Sequence, residues 1–143
     1  MRINNINSLL NLKGVYVKNI NYSEGLVEIN VATKKKLQRC PNCGNKTSRV
    51  HDYRVQRIKD LPIHSTNSIL VLKKRRYVCS CGKRFYEKLD FLPRYHRMTS
   101  RVYSSILESL KSNYSFSHVA HSLNISTATV QRIMRLLSYS CTS

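Results

Sequence analysis

The chain has 143 residues and carries 25 Lys and Arg side chains against only seven Asp and Glu, a formal net charge of +18. A chain of this length forms one domain or two very small ones. It is too short to contain a nuclease or polymerase core together with another domain. A charge of this size repels itself and does not favour folding. It therefore indicates a polyanionic partner, either a nucleic acid or an anionic membrane surface.

A membrane partner is not expected. The longest apolar run, Ile69–Leu72, is far shorter than the roughly 20 residues that span a bilayer. The start of the chain shows no signal-peptide pattern. We therefore expect a cytoplasmic protein, in which cysteines bind metal more often than they form disulfides.

The charge is concentrated in the middle of the chain. Residues 34–101 contain 19 of the basic and four of the acidic side chains, so they contribute +15 of the +18. Residues 1–33 and 102–143 contribute only +1 and +2. The middle segment should therefore dominate the electrostatic attraction to a polyanion.

The first part of the chain has a β-type pattern. Alternating apolar residues on both sides of a turn at Ser23-Glu24-Gly25 predict a hairpin over residues 14–32. Residues 49–60 and 68–78 predict further strands, with breakers at Leu61-Pro62 and Ser65-Thr66-Asn67.

Two cysteine pairs lie within the basic segment. In Cys40-Pro41-Asn42-Cys43-Gly44 the two intervening residues let both sulfurs face one point, and the glycine permits the tight turn. The second pair, Cys79-Ser80-Cys81-Gly82, follows about 35 residues later. Four thiolates would close a tetrahedral zinc site with no open position, which is structural and not catalytic. The predicted ligands are Cys40, Cys43, Cys79 and Cys81.

The second pair has one intervening residue where two are usual, which leaves open that His51 or His64 replaces one cysteine. Two disulfides, or buried free thiols, also stay open for these cysteines. Cys141 is expected to have no role in the site. Because few large apolar residues lie between 33 and 93, zinc binding should supply folding free energy for this half.

Basic and aromatic residues surround the second cysteine pair and occupy the preceding β-type segment. Alternate residues of a strand share a face, so such rows can lie along a phosphate backbone and make bidentate guanidinium contacts. The alternative is a solvated face without a ligand. The density of charge favours nucleic acid, and the predicted phosphate contacts are Arg49, Arg54, Arg57, Lys73, Lys74, Arg75, Arg76, Lys83 and Arg84.

From Thr99 onward the pattern is helical. Apolar spacing predicts a helix over residues 100–112, a short second helix capped by Ser115 or Ser117, and a third helix from about Thr127 to Ser138. The small Ala120 falls where the last two helices approach each other. The predicted core stripe of the third helix is Val130, Ile133, Met134 and Leu137.

This order of helices is typical of a helix-turn-helix, although any three-helix bundle shares the apolar spacing. The third helix would enter the major groove, where Gln can bind adenine and Arg guanine. The residues predicted to face the DNA are Thr127, Ala128, Thr129, Gln131 and Arg132.

The predicted fold class is α+β. A small zinc-stabilised, zinc-ribbon-like β-rich module occupies residues 1–93, and a three-helix helix-turn-helix module occupies residues 94–143. Pro93 and the polar stretch that ends at Arg97 form the join.

The order of these features resembles the N-terminal region of bacterial insertion-sequence transposases of the ISL-three family, over about residues 8–138. The most specific parts are Asp60-Leu61-Pro62 and Arg75-Arg76-Tyr77 at their distances from the cysteines. The resemblance implies that the zinc segment and the helix-turn-helix bind double-stranded DNA at the terminal inverted repeats of a mobile element. It also implies a bacterial, nucleoid-associated protein.

In that family catalysis belongs to a DDE domain with an RNase H-like fold and two divalent metal ions, and this domain is not expected in the present sequence. The seven acidic residues are scattered and form no carboxylate triad. Asp60 is expected to stabilise a turn or to pair with an arginine. We therefore expect a DNA-binding region that is not itself an enzyme.

Three further functions stay open on the sequence. A free-standing transcriptional repressor would need a dimer, and no obvious dimerisation helix follows residue 138, although a homodimer stays open. A basic zinc-ribbon RNA-binding protein would share the charge and the small size. An enzyme would require carboxylates that the sequence does not display.

Overall fold

The computed structural model describes residues 10, 12, 14–92 and 97–140, with the backbone alone for 137–140. Residues 93–96 of the predicted join, which extends to Arg97, and Cys141 lie outside these ranges. The described strands are β1 (Val15–Ser23), β2 (Leu26–Thr33), β3 (Gln38–Arg39), β4 (Lys46–Thr47), β5 (Val50–Ile63), β6 (Thr66–Val78) and β7 (Arg84–Tyr86). The described helices are α1 (Ser100–Lys111), α2 (Phe116–Leu123) and α3 (Thr127–Ser140).

The predicted N-terminal hairpin is confirmed. Strands β1 and β2 pair in antiparallel fashion around a turn in which Gly25 has a φ of +72°. The register shifts between Val17 and Asn19, so that Lys18 forms a bulge. The bulge explains why Val17 and Ile20, three residues apart, both pack toward the same core.

Strands β5 and β6 form a long antiparallel ribbon. The turn between them contains His64 and Ser65, whose φ angles are +48° and +64°. The prediction that Leu61-Pro62 ends the strand is wrong, because β5 continues to Ile63. The register shifts between Asp60 and Ile63, and a proline is tolerated at such an irregularity because it need not donate a ladder hydrogen bond.

Strand β6 has two different neighbours along one edge, while β5 pairs with its other edge. Its first half, residues 67–72, pairs in parallel with β2. Its last residues, 76–78, pair in antiparallel fashion with β7. One half of β6 therefore belongs to a sheet with the order β1-β2-β6-β5, and the other half carries the cysteine-bearing end, which we call the zinc end (residues 38–50 and 76–86).

The described residues form two separate hydrophobic cores. The first lies on one face of the sheet and includes the fully buried Ile58, Leu70 and Leu72, covered by Phe91 and Leu92. The second lies among the helices and is formed by Met98, Val102, Ile106, Val119, Ala120, Leu123, Val130 and Ile133. Neither core includes a cysteine of the zinc end.

The helices follow the predicted layout. The side chain of Ser115 caps α2 by accepting a hydrogen bond from the His118 amide at 3.1 Å. Asn124 ends α2 in the left-handed region with a φ of +54°. Ser126 in turn accepts from the Thr129 amide at 3.1 Å at the start of α3.

One prediction about the third helix is wrong. Met134 is 45% exposed and does not belong to the core. Met134 follows the buried Ile133 by one residue and so lies about 100° around the helix from it, on the side of the exposed Gln131 and Arg135. The side chain of Leu137 lies outside the described residues.

The helices pack directly on the end of the ribbon. Lys59 of β5 forms an isolated parallel bridge with Met98, and Leu61 packs against the helical core. Asp60, which is 2% exposed, accepts hydrogen bonds from Thr99 Oγ1 at 2.9 Å and from Arg101 Nε at 2.6 Å. The expectation that Asp60 pairs with an arginine is thus confirmed. None of the described helices is long and apolar enough to cross a membrane.

Candidate metal centre and nucleic-acid interface

The first cysteine pair forms a tight turn after β3. The Cys40 carbonyl accepts from the Gly44 amide at 3.0 Å, and the Cys40 amide donates to the Asn45 carbonyl at 2.8 Å. Gly44 has a φ of +77°, which is why a glycine stands there. The turn directs the Asn42 amide at Cys40 Sγ, at 3.4 Å.

The second pair forms a similar turn at the end of β6. The Gly82 amide donates to the Cys79 carbonyl at 2.9 Å, and the Cys79 amide donates to the Lys83 carbonyl, also at 2.9 Å. Gly82 has a φ of +91°. The single intervening residue therefore shortens the turn without turning Cys81 away from the other sulfurs.

The four sulfur atoms lie within 4.8 Å of one another. Cys40 Sγ is 3.7 Å from Cys81 Sγ, and Cys43 Sγ is 3.4 Å from Cys79 Sγ. Zinc–sulfur bonds of about 2.3 Å in a tetrahedron separate the sulfurs by roughly 3.8 Å, whereas a disulfide requires about 2.05 Å. The spacing fits four ligands of one metal ion and excludes disulfides between these cysteines.

Neither candidate histidine joins the cluster. Among the described residues, the four cysteines are the one group of three or more His, Cys, Asp or Glu side chains that could hold a metal ion. His51 Nε2 lies 4.0 Å from an Asp52 carboxylate oxygen. His64 lies in the turn at the opposite end of β5. The four-sulfur set is therefore complete without a histidine.

The surroundings of the sulfurs shift the pKa values of two of the cysteines in opposite directions. The Lys83 backbone and the Asn42 side chain lower the pKa of Cys81 to about 6 by hydrogen bonding to its sulfur. The Asn45 backbone lowers the pKa of Cys43, but the Cys79 thiol, burial and the other two thiols together raise it to about 12. A bound divalent cation would favour the deprotonated form of the thiols.

A buried ionic group joins the zinc end to the sheet, at the point on β6 where β2 ends and β7 begins. The Glu87 carboxylate accepts from Thr33 Oγ1 at 3.0 Å and from the Arg75 amide at 3.1 Å. The Arg75 guanidinium donates to the Thr33 carbonyl at 2.6 Å and lies 4.0 Å from Glu87. The side chains of Arg75 and Glu87 are 16% and 4% exposed.

The predicted phosphate contacts divide into three groups. Arg75 lies in the buried group just described. Arg57 pairs with Glu28 at 2.5 Å, and Arg76 Nε donates to Asp52 at 2.7 Å. The remaining side chains form what we call the basic surface, in which Lys74 is half-buried and the others are exposed: Arg49, Arg54, Lys73, Lys74, Lys83 and Arg84.

Tyrosines hold two lysines of the basic surface in place. Lys73 Nζ lies 4.8 Å from the centroid of the Tyr53 ring, and Lys74 Nζ lies 5.1 Å from that of Tyr86. Burial lowers the pKa of Lys74. Both ammonium groups thus lie against aromatic rings in the described structure.

The start of α3 presents polar side chains outward. Ala128, Gln131 and Arg132 are exposed, and Thr127 is half-buried. Thr129 is half-buried and its hydroxyl lies 2.7 Å from that of Ser126, so it takes part in the helix cap. Gln131 also lines a shallow groove with Phe116, Met134 and Arg135.

Sequence reasoning missed the partners of the buried charged side chains. It did not assign Arg101 or Thr99 as partners of Asp60, nor Thr33 and Glu87 as partners of Arg75. The signal that could have found them is the position of Asp60 and Glu87 within otherwise apolar or basic β-type stretches, where a lone carboxylate needs a partner.

Comparison with known proteins agrees with this geometry. Residues 36–82 match the family of zinc-fingers of transposase IS204/IS1001/IS1096/IS1165, and residues 87–137 match the helix-turn-helix domain of transposase family ISL3. The transposase for insertion sequence element IS1001 of Bordetella parapertussis is 35% identical over 79 residues. Those residues are 54% of this chain but 20% of that transposase, so the chain spans about a fifth of its length. No solved structure matches the chain significantly.

The cysteine cluster lies within the matched zinc-finger and is the site of a structural zinc ion. The three helices lie within the matched helix-turn-helix domain. The chain carries a zinc ribbon and a helix-turn-helix that match those of ISL3-family transposases, and the two form the DNA-binding part of a transposase.

Proposed function

We propose that this DNA-binding part recognises the terminal inverted repeats of an insertion sequence. The observation that carries the proposal is the packing of a helix-turn-helix with exposed Gln131 and Arg132 against a ribbon that bears a basic surface. One molecule thus combines a helix that can recognise base edges with a surface that can bind phosphates.

The zinc ion is held by Cys40, Cys43, Cys79 and Cys81 in this proposal. The sulfur spacing supports all four as ligands. Because no position of the tetrahedron remains open for water or substrate, the ion stabilises the ribbon end and takes no part in chemistry.

The basic surface supplies most of the affinity. Five of its side chains are exposed, namely Arg49, Arg54, Lys73, Lys83 and Arg84. If each neutralises one phosphate, the logarithm of the binding constant should fall with the logarithm of salt concentration with a slope of about −4.5. Arg75 is left out of this surface because its guanidinium is bound to Thr33 and Glu87.

The start of α3 supplies the specificity. Gln131 and Arg132 have the side chains that bind adenine and guanine edges in the major groove. Thr127 and Ala128 lie at the N-terminal turn, where they would contact the backbone or a thymine methyl group. Thr129 would act mainly by fixing the start of the helix.

We assign no catalysis to the described residues. Glu28, Asp52, Asp60 and Glu87 each lie within an arginine ion pair. In the described ranges the acidic side chains form no group that could hold a metal ion. A strand-cleavage assay with magnesium tests this assignment, and cleavage by the purified chain would refute it.

A gel-shift assay tests the main proposal. The probe is a duplex with the terminal inverted repeat of the mobile element that encodes the chain, and the control is a scrambled duplex of equal composition. Arg132→Ala should reduce the preference for the repeat by about 1–3 kcal/mol. Lys73→Gln should weaken both duplexes equally and reduce the salt slope by about 1.

The matched control is His121→Ala, because His121 is exposed on α2. Equal affinity of the unaltered chain for the repeat and the scrambled duplex would contradict the proposal. An element has two such ends, so two molecules are expected per element. Sedimentation with one and two repeats determines whether they associate as a homodimer.

A further inference from the structure

The contact between the ribbon and the helices is polar, buried and directional. The Asp60 carboxylate receives hydrogen bonds from both Thr99 and Arg101, which begin the helical module. Arg101 also donates to the Leu10 carbonyl. Breaking such a pair leaves an uncompensated charge, so the arrangement has one preferred geometry and resists sliding.

Backbone hydrogen bonds fix the same contact. The Lys59 amide donates to the Arg97 carbonyl at 2.8 Å, and the Thr99 amide donates to the Lys59 carbonyl at 3.0 Å. The Ser100 amide donates to the Phe91 carbonyl at 2.7 Å. Leu61 adds an apolar contact to the helical core. Lys59 of β5 is therefore hydrogen-bonded to the backbone on either side of Met98, and the start of α1 is hydrogen-bonded to Phe91.

The zinc end lies at the other end of the same ribbon. Strand β5 runs from Val50 beside the cysteine turns to Lys59 and Asp60 beside the helices, with one irregularity near Val50. At roughly 3.3 Å per residue, the stretch of β5 from Val50 to Lys59 is about 30 Å long. This is close to the rise of one turn of B-form DNA, about 34 Å.

We propose that the helix-turn-helix and the zinc end bind one duplex as a single rigid unit, in two contact regions about one helical turn apart, with Asp60 as a positioning residue. This inference rests on the proposed function. A separation of one turn brings the two contact regions to the same face of the duplex. The zinc end then contacts phosphates at a fixed distance from the α3 site and does not recognise base sequence.

Uncharged methylphosphonates test the spacing. A small patch of them replaces phosphates of the terminal-repeat duplex and is moved outward from the α3 site, base pair by base pair. Affinity of the unaltered zinc-loaded chain should fall where the patch meets the ribbon, with an outermost loss of about tenfold when the patch lies about 10 bp from that site and none beyond it. A flexible connection would spread a smaller loss over many positions.

Two variants test the role of Asp60. Asp60→Asn keeps the size of the side chain and removes its charge, and Arg101→Ala removes the partner. Both should bind the α3 site but lose the sharp position dependence. The matched control is Glu28→Gln, which removes another arginine–carboxylate pair of the sheet, Glu28–Arg57, and should keep the unaltered profile.

The outcomes are separable. Loss of all preference for the repeat would refute the proposed function. If the chain prefers the repeat but loses affinity at no patch position beyond the α3 site, the proposed function stands and the rigid unit is refuted. A sharp profile that persists in both variants would refute the role of Asp60. Measurements of zinc content and of cooperative unfolding identify a variant that fails to fold. In that case the methylphosphonate scan of the unaltered chain still determines the spacing of the two contact regions.

Discussion

The buried group of Thr33, Arg75 and Glu87 should be a major source of stability. Glu87→Ala removes a carboxylate that is 4% exposed and leaves the Arg75 guanidinium, 16% exposed, without its counter-ion. Loss of one partner of a buried pair costs about 3–5 kcal/mol. Arg75 keeps hydrogen bonds of 2.6 and 2.7 Å to Thr33, so we expect the lower end, about 3 kcal/mol.

Urea denaturation of the zinc-loaded protein measures this loss. With a slope of about 2 kcal/mol per molar urea, the midpoint should fall by about 1.5 M. Glu87→Gln keeps an acceptor for the Arg75 amide and should cost only about 1–2 kcal/mol. The matched control is Glu24→Ala, because Glu24 is exposed in the turn between β1 and β2. A midpoint for Glu87→Ala within about 0.3 M of the unaltered protein would refute the reasoning.

Two further predictions concern the zinc end and the helices. Cys40→Ser should abolish stoichiometric zinc binding and remove hydrogen-exchange protection from β3, β4 and β7, because neither hydrophobic core includes a cysteine of the zinc end. Cys141→Ser is the control, and equal loss of protection in α1–α3 would contradict the separation of the cores. Ala120→Leu should overpack the contact of α2 with α3 at a cost of about 1–3 kcal/mol, seen as a fall of roughly 3–10 °C in Tm. His121→Leu adds the same side chain at an exposed position, and an equal fall there would point to a general effect of leucine.

Local features of the fold followed from the sequence because local chemistry determines them. The hairpin follows from alternation and from Gly25, and both cysteine turns follow from Gly44 and Gly82. The three helices follow from apolar spacing and from serine caps such as Ser115. In each case the residues whose pattern predicts the turn, strand or helix are the same residues that form it.

The pairing of β2 with β6 did not follow, because alternation defines a buried face and not a neighbour. The continuation of β5 through Pro62 depends on a register shift that only the partner strand reveals. Met134 satisfies the helical spacing but lies about 100° around the helix from the buried Ile133, on the exposed side of α3.

The candidate site also has a part that the sequence predicts and a part that it does not. The cysteine cluster depends on residue type and spacing, which the sequence displays. The inward position of Arg75 depends on Thr33 and Glu87, which lie 42 and 12 residues away from it in the chain. A basic residue in a basic stretch gives no sign of which of its neighbours has a buried partner.

The bulge at Lys18 has a consequence for solubility. Strand β1 is an outer strand of its sheet, nine residues long, and pairs on one side with β2. A flat outer strand offers unpaired amides and carbonyls to another molecule and can recruit it into a growing sheet. The bulge twists this edge and places a cation in it. Deleting Lys18 would restore a regular edge and should make the protein prone to aggregation.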